Sequence, residues 1–280
     1  MIENFRQAVG LGNVFRSATT DVLGGTDVSQ LEGSDKFVAE KMGLILDLRF
    51  KHEIDDPAAQ KWLAEQGIQW IESADSYSAI EKRRTAIRIS VLSMDYIDKH
   101  WSSPAEQQKA ADVQPEEVTQ LRIEKLNERG LFGLNQLILE SGGVGICKTL
   151  MIITRRFEAN ADDVILIECV QGKDRTGMLV MLLQALTEFS DDVIIDDYIA
   201  SDNMAIKALG ERDYSGGLDH EIFSGATKEA MVSTLDYLRQ KYGSISPGYF
   251  DHIGFNNIWR RRLRCCLKVT QASTDSRMYW

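Results

Sequence analysis

Cysteine and proline are both scarce, with four of each in 280 residues. The cysteines, Cys147, Cys169, Cys265 and Cys266, are too few for a disulfide framework and lack the spacing of a zinc site. The four histidines, His52, His100, His220 and His252, have no partner four residues away, so they read as surface or capping residues rather than ligands. No apolar run reaches the ~18 residues of a membrane span, and no charged-then-apolar leader opens the chain. The expectation is therefore a soluble, cytoplasmic protein. Positive charge is in deficit, with 32 Lys and Arg against 42 Asp and Glu, a net charge of -10. That balance argues against nucleic acid as a partner. It still permits a small anionic substrate, because a local positive field can outweigh a distant negative total. There is no internal repeat and no linker rich in Pro, Gly or Ser, so residues 1–280 read as one domain.

The segments "NVFRSA" (13–18) and "GLILDLRF" (43–50) are strand-like. "DPAAQKWLAEQGIQWIES" (56–73) predicts a helix followed by a strand, so the chain begins with alternating β and α. Further on, "AIRISVLSMDYIDKHW" (86–101) and "PEEVTQLRIEKLNERGLFGLNQLILE" (115–140) carry apolar residues at helical spacing, as does 146–160. The strand "VILIE" (164–168) follows, and then helices over 176–189, 191–209, 227–242 and 255–268. This is an α/β pattern with a helical insertion at about 75–145, a candidate lid.

Between "VILIE" and the next helix lies "CVQGKDRTG" (169–177). A free thiol has a pKa of about 8.5 and is a good nucleophile only as thiolate, a form that a helix N-terminus favours. The unpaired amides of such a terminus also receive phosphate oxygens. Wrapping Val170, Gln171, Gly172, Lys173, Asp174 and Arg175 around one point would aim successive amides at an anion above the Cys169 sulfur. Gly172 relieves the curl, and Gly177 allows close packing of helix on strand. Arg175 offers a planar fork for two phosphate oxygens, and Thr176 can donate a hydrogen bond to the sulfur. Together these are the parts of phosphoryl transfer through a cysteinyl-phosphate.

The loop resembles the C-x5-R signature of the protein tyrosine phosphatase superfamily. Its G-K-D-R-T-G half is similar to the tyrosine-phosphatase-like branch that includes secreted bacterial lipid and protein phosphatases. "NFRQAVGLGNVFRSATTD" (4–21) resembles that branch's N-F-R-D and Y-R-S-A opening, and "LILDLRFKHEID" (44–55) its D-L-R-x-x-x-E segment. "DDYIASDN" and "LDYLRQKYGSISPGYFDHIGF" resemble its D-Y-L-x-S and x-Y-G-S segments. The resemblance implies a central mixed sheet flanked by helices and a cysteine-dependent phosphatase working without metal or other cofactor. Its substrate would be a phosphotyrosine protein or a phosphoinositide.

Two positions depart from the pattern. Glu168 stands where the family usually has histidine, and Gln7 where it often has aspartate. A buried carboxylate beside Cys169 raises the thiol pKa unless it is paired or points away, and regular alternation along "VILIE" would put the two on opposite faces. An impaired phosphate-binding adaptor is thus the alternative to an active enzyme. Asp174 is the first candidate for general acid or, alternatively, a loop brace; Asp47 is the second, or a partner of Arg49 or Arg16. Lys173 reads either as a ligand for a further phosphate or as a solvated lysine. "GGVGICKT" (142–149) nearly spells a nucleotide-binding loop, but Cys147 occupies a glycine position and a helix precedes it, so a helix stop and restart is expected. Cys265 and Cys266 are expected in the core. "RRRLR" (260–264) reads as a solvated helix face, with transient contact to a membrane surface as the alternative.

Overall fold

The strands are short, four residues at most, and three of the six are buried along their whole length. The computed structural model describes residues 1–50, 53, 57–71, 84–202 and 217–269. In chain order these form β1 (Arg6–Gln7), β2 (Val14–Ser17), α1 (Gly33–Lys41), β3 (Leu44–Asp47), α2 (Pro57–Glu65), β4 (Gln69–Ile71) and β5 (Thr85–Arg88). Three helices, α3 (Asp95–His100), α4 (Pro104–Asp112) and α5 (Pro115–Ser141), lead to α6 (Gly143–Ala159), β6 (Ile165–Glu168) and α7 (Asp174–Leu186). The remainder is helical: α8 (Asp191–Ile199), α9 (His220–Phe223), α10 (Lys228–Tyr242), α11 (Phe250–His252) and α12 (Asn257–Cys266). The sheet runs β1-β2-β6-β3-β5-β4, antiparallel only at β1–β2. This is the expected α/β class, a mixed sheet among helices.

Burial on both faces makes the inner strands continuous apolar runs, as parallel sheets require. Ile165, Ile167, Leu44 and Leu46 face a core shared with α6, α7 and α12. Ile45, Leu166 and Ala86 face the other way, onto Val38 of α1 and Trp62 and Leu63 of α2. A third cluster joins Ile97 of α3 and Leu126, Leu131 and Leu137 of α5 to Phe223 of α9. β6 lies between β2 and β3 and is parallel to both, so its C-terminal end opens into the crevice where such sheets bind ligands.

Several expectations need correction. Thr85–Arg88, inside the stretch read as a helical insertion, is β5 and a member of the sheet. Its four residues are too few for periodicity to separate strand from helix. Residues 72–83 and 203–209, also included in those readings, lie outside the described residues, as does His52. α1 was not anticipated, because it carries only Phe37, Val38 and Ala39 as apolar residues. Cys265 is exposed and Cys266 half-buried, since α12 buries only Leu263 fully. The arginines of 260–264 do line a solvated face, with Arg260 on Asp251 and Arg262 on Glu158.

The helix stop and restart falls at Gly142, where α5 and α6 meet at 72°. A Cβ there would lie 1.9 Å from the Val91 carbonyl oxygen, so only glycine permits the approach. No single described helix is long and apolar enough to cross a membrane.

Candidate active site

Residues 169–175 curl from the end of β6 into α7, and Gly172 sits at φ 65° with its α-carbon pressed against β2. A Cβ on Gly172 would come within 2.2 Å of the Ser17 carbonyl. No side chain caps α7. Among the described residues, none of the amides from Val170 to Arg175 donates to a protein acceptor. Unsatisfied amides are costly when buried, and these follow directly on the buried Cys169.

The carbonyls of the loop are held by side chains from other elements. Asn4 Nδ2 donates to the carbonyls of Gln171 (2.9 Å) and Gly172 (3.0 Å). Arg16 Nη2 donates to those of Gly172 (2.9 Å) and Lys173 (3.3 Å). Arg16 is anchored by Asp197 at 2.8 Å, and Arg6 reaches the Asp197 carbonyl and Ser201. Lys173 is fully buried, its Nζ donating to the carbonyls of Phe223 (2.6 Å) and Gly225 (2.7 Å). Hydrogen bonds to a charged group contribute about 1.5–3 kcal/mol each, well above thermal energy, so this ammonium is fixed in the interior.

Arg175 aims its guanidinium at Glu53, with Nη1 to Oε2 at 2.5 Å and Nη2 to Oε1 at 2.9 Å. Burial disfavours the guanidinium charge, but the carboxylate outweighs it and the pKa rises. Glu53 also accepts from the Phe50 amide at 2.7 Å, and the Phe50 ring lies 5.8 Å from the Arg175 guanidinium carbon. This turn hangs from Arg49, which is bound to Asp47 through Nε and Nη2 (2.8 and 2.9 Å) and to Asp21 through Nη1 (2.6 Å).

A cavity of about 410 Å³ opens above the loop. Cys169, Val170, Gln171, Asp174 and Arg175 form its floor, and Ile123, Leu126 and Leu134 of α5 with Phe223 and Met94 form much of its wall. The helical region thus does stand over the loop. Among the described residues, no group of three or more His, Cys, Asp or Glu is arranged to hold a metal ion.

A family model described as "Tyrosine phosphatase family" matches residues 3–268. The chain belongs to the tyrosine phosphatase family. A search of curated protein sequences finds no match. The family is one of phosphatases, hydrolases that act on phosphorylated substrates, and the match runs through the region of 72–145 that resembled nothing in the sequence reading.

In this phosphatase-family site Cys169, Asp174 and Arg175 share one cavity with Val170 and Gln171, whereas Asp47 does not. Asp47 is wholly buried, and both its oxygens are held by Arg49 and Arg88. Burial would raise its pKa, but the Arg49 and Arg88 guanidiniums outweigh that and lower it. Both carboxylate oxygens are thus engaged in ion pairs away from the cavity, as a brace for the Arg49 turn would be. Lys173 fits neither expectation, being neither solvated nor turned to the cavity. Thr176 is buried, and its hydroxyl has no partner among the described residues, so the expected bond to sulfur is not formed. Gly177 gives close packing, but chiefly on the Tyr198 ring of α8, 3.0 Å from an added Cβ, rather than on a strand backbone.

The sequence reading assigned no role to Glu53, Asn4 or Arg16 in the loop, although the terminal glutamate of D-L-R-x-x-x-E and the asparagine of N-F-R were visible in the matched segments. Glu168 faces away from Cys169. It is fully buried on the Leu166 side, level with Asp47, and accepts from the Thr20 amide (3.1 Å) and hydroxyl (3.3 Å). Burial, then the neighbouring Asp47 charge, push its pKa well above the ordinary 4.5.

A raised carboxyl pKa stabilises the fold below the unfolded value, and that contribution is lost as pH rises toward the folded one. Glu168→Gln is therefore expected to gain stability relative to wild type between about pH 5 and 8, measured by urea unfolding. The pH curve of Cys169 alkylation by iodoacetamide is expected to coincide for the two proteins. A shifted curve would show that Glu168 does act on the thiol.

Proposed function

We propose that the chain hydrolyses phosphomonoesters in two in-line steps through a cysteinyl-phosphate. The observation that supports this most is the run of amides from Val170 to Arg175, without a protein acceptor among the described residues, directly after the buried Cys169 in one cavity. The thiolate sulfur would bond to phosphorus as the bond to the ester oxygen breaks, with Asp174 giving that oxygen its proton. Water would then attack phosphorus, returning a proton to Asp174, and the sulfur–phosphorus bond would break to release phosphate. The amides and the Arg175 fork stabilise the oxygens of the transferring group, and the unpartnered Thr176 hydroxyl is close in sequence and free to support the departing sulfur. The adaptor alternative rested on Glu168, and its position on the opposite face removes that ground.

For the substrate, the cavity favours an apolar, aryl ester such as phosphotyrosine over a phosphoinositide. Much of its wall is formed by aliphatic and aromatic side chains, beside Thr119, His220 and Ser224, and Lys173, the residue expected to take a second phosphate, is held in the interior.

Release of phosphate from 4-nitrophenyl phosphate tests the reading. Cys169→Ser is expected to reduce it to background, since a serine hydroxyl carries no anion at neutral pH; turnover beyond a trace would remove Cys169 from the chemistry. Arg175→Lys keeps the charge but loses the fork, and kcat/KM is expected to fall by about 10²- to 10³-fold. Near-normal activity would reduce Arg175 to a diffuse field. A phosphotyrosyl peptide is expected to have a higher kcat/KM than a soluble polyphosphorylated inositol lipid, and the reverse order would refute the aryl preference.

A further inference from the structure

Asp174 lies where α7 meets the cavity, its side chain 16% exposed. Its Oδ1 accepts from the Tyr198 hydroxyl at 3.3 Å and lies 3.6 Å from Lys173 Nζ, whose short bonds go to two carbonyls. Among the described residues no donor reaches its Oδ2. One oxygen is therefore tied to the interior and the other is not. Tyr198 is 1% exposed, and its ring packs on Gly177 in the second turn of α7. Burial, then the Asp174 charge, push the phenol pKa well above 10, so the hydroxyl stays protonated and acts as a donor.

We propose that Tyr198 is a positioning residue for Asp174, holding Oδ1 inward so that Oδ2 meets the ester oxygen as it leaves. This rests on the phosphatase reading above, in which Asp174 carries the proton. Proton transfer needs the two oxygens within about 2.6–3.2 Å, and a carboxylate free to rotate meets that condition only part of the time. Tyr198 does not line the cavity, and its hydroxyl also meets the buried Asn135 side chain, so its route to the reaction is through Asp174. The burial of the phenol beside the floor of the cavity keeps water from replacing it as donor.

Tyr198→Phe removes the hydroxyl and keeps the ring on Gly177. The readout is kcat/KM, which reports the first phosphoryl transfer, for two esters of unequal leaving group. That for phenyl phosphate is expected to fall about tenfold and that for 4-nitrophenyl phosphate less than about twofold, because the better leaving group needs little protonation. Asp174→Asn should show the same contrast more strongly, and adding Tyr198→Phe to it should cause no further loss.

A second handle serves if the phenylalanine variant is unstable: 3-fluorotyrosine at position 198 keeps the shape and donates more strongly. It should change kcat/KM for phenyl phosphate and leave that for 4-nitrophenyl phosphate within about twofold. Equal losses on both esters, additive losses in the double variant, or an equal change on both esters with the fluorinated residue would overturn the positioning role and leave the phosphatase reading standing. Failure of the wild-type protein to hydrolyse either ester would overturn that reading as well.

Discussion

The site depends on the outward restraint of the carbonyls in the turn after β6. A peptide unit cannot present its N–H to the centre of a loop unless its C=O is directed elsewhere, and a buried C=O needs a donor. Asn4 and Arg16 supply those donors for Gln171, Gly172 and Lys173. Gly172 makes the geometry possible, since its positive φ and its contact with Ser17 leave no room for a side chain. The amides of the loop are left without protein acceptors among the described residues, and the N-terminus of α7 adds its dipole at the same end.

A second network, of charges, positions the arginine. Asp47, level with Glu168 on the sheet, binds Arg49, and Arg49 also binds Asp21. The turn that follows brings Glu53 to Arg175. Removing one member of such a buried pair costs about 3–5 kcal/mol, more than any single contact at the cavity surface contributes, so the turn is held by its interior end. Glu168 shares this charged layer but not the thiol's side of the sheet. Two residues adjacent in the chain, at the end of β6, thus belong to different chemistry, the carboxyl to the charged layer with Asp47 and Arg49 and the thiol to the cavity.

Much of this was legible in the chain itself where the signal was local. The run from "VILIE" through "CVQGKDRTG" into an apolar helix placed strand, turn and helix correctly, because a short apolar strand, a glycine in a tight turn and a helix buried on all sides each leave a pattern within a few residues. The helix restart at Gly142 and the C-terminus of α10 at Gly243, φ 77°, were legible for the same reason. β5 was not, because four buried residues fit either period. The vicinal cysteines, one exposed and one half-buried, were misplaced, because helical periodicity marks a face as apolar without showing that anything covers it.

What the sequence by itself determined was the inventory and its order: one cysteine before a phosphate-sized turn, an arginine six residues later, and acids nearby. Which acid is free to act was decided only by tertiary structure. Asp47 and Asp174 are chemically the same, but two guanidiniums enclose the first, while a phenol holds one oxygen of the second at the cavity wall. Lys173 likewise reads as a phosphate ligand in a linear motif, and it becomes an internal clamp because the carbonyls of Phe223 and Gly225, about fifty residues away, fold over it. Burial and the direction of a side chain arise from residues distant in the chain, so a motif can name the groups of a site without assigning their roles.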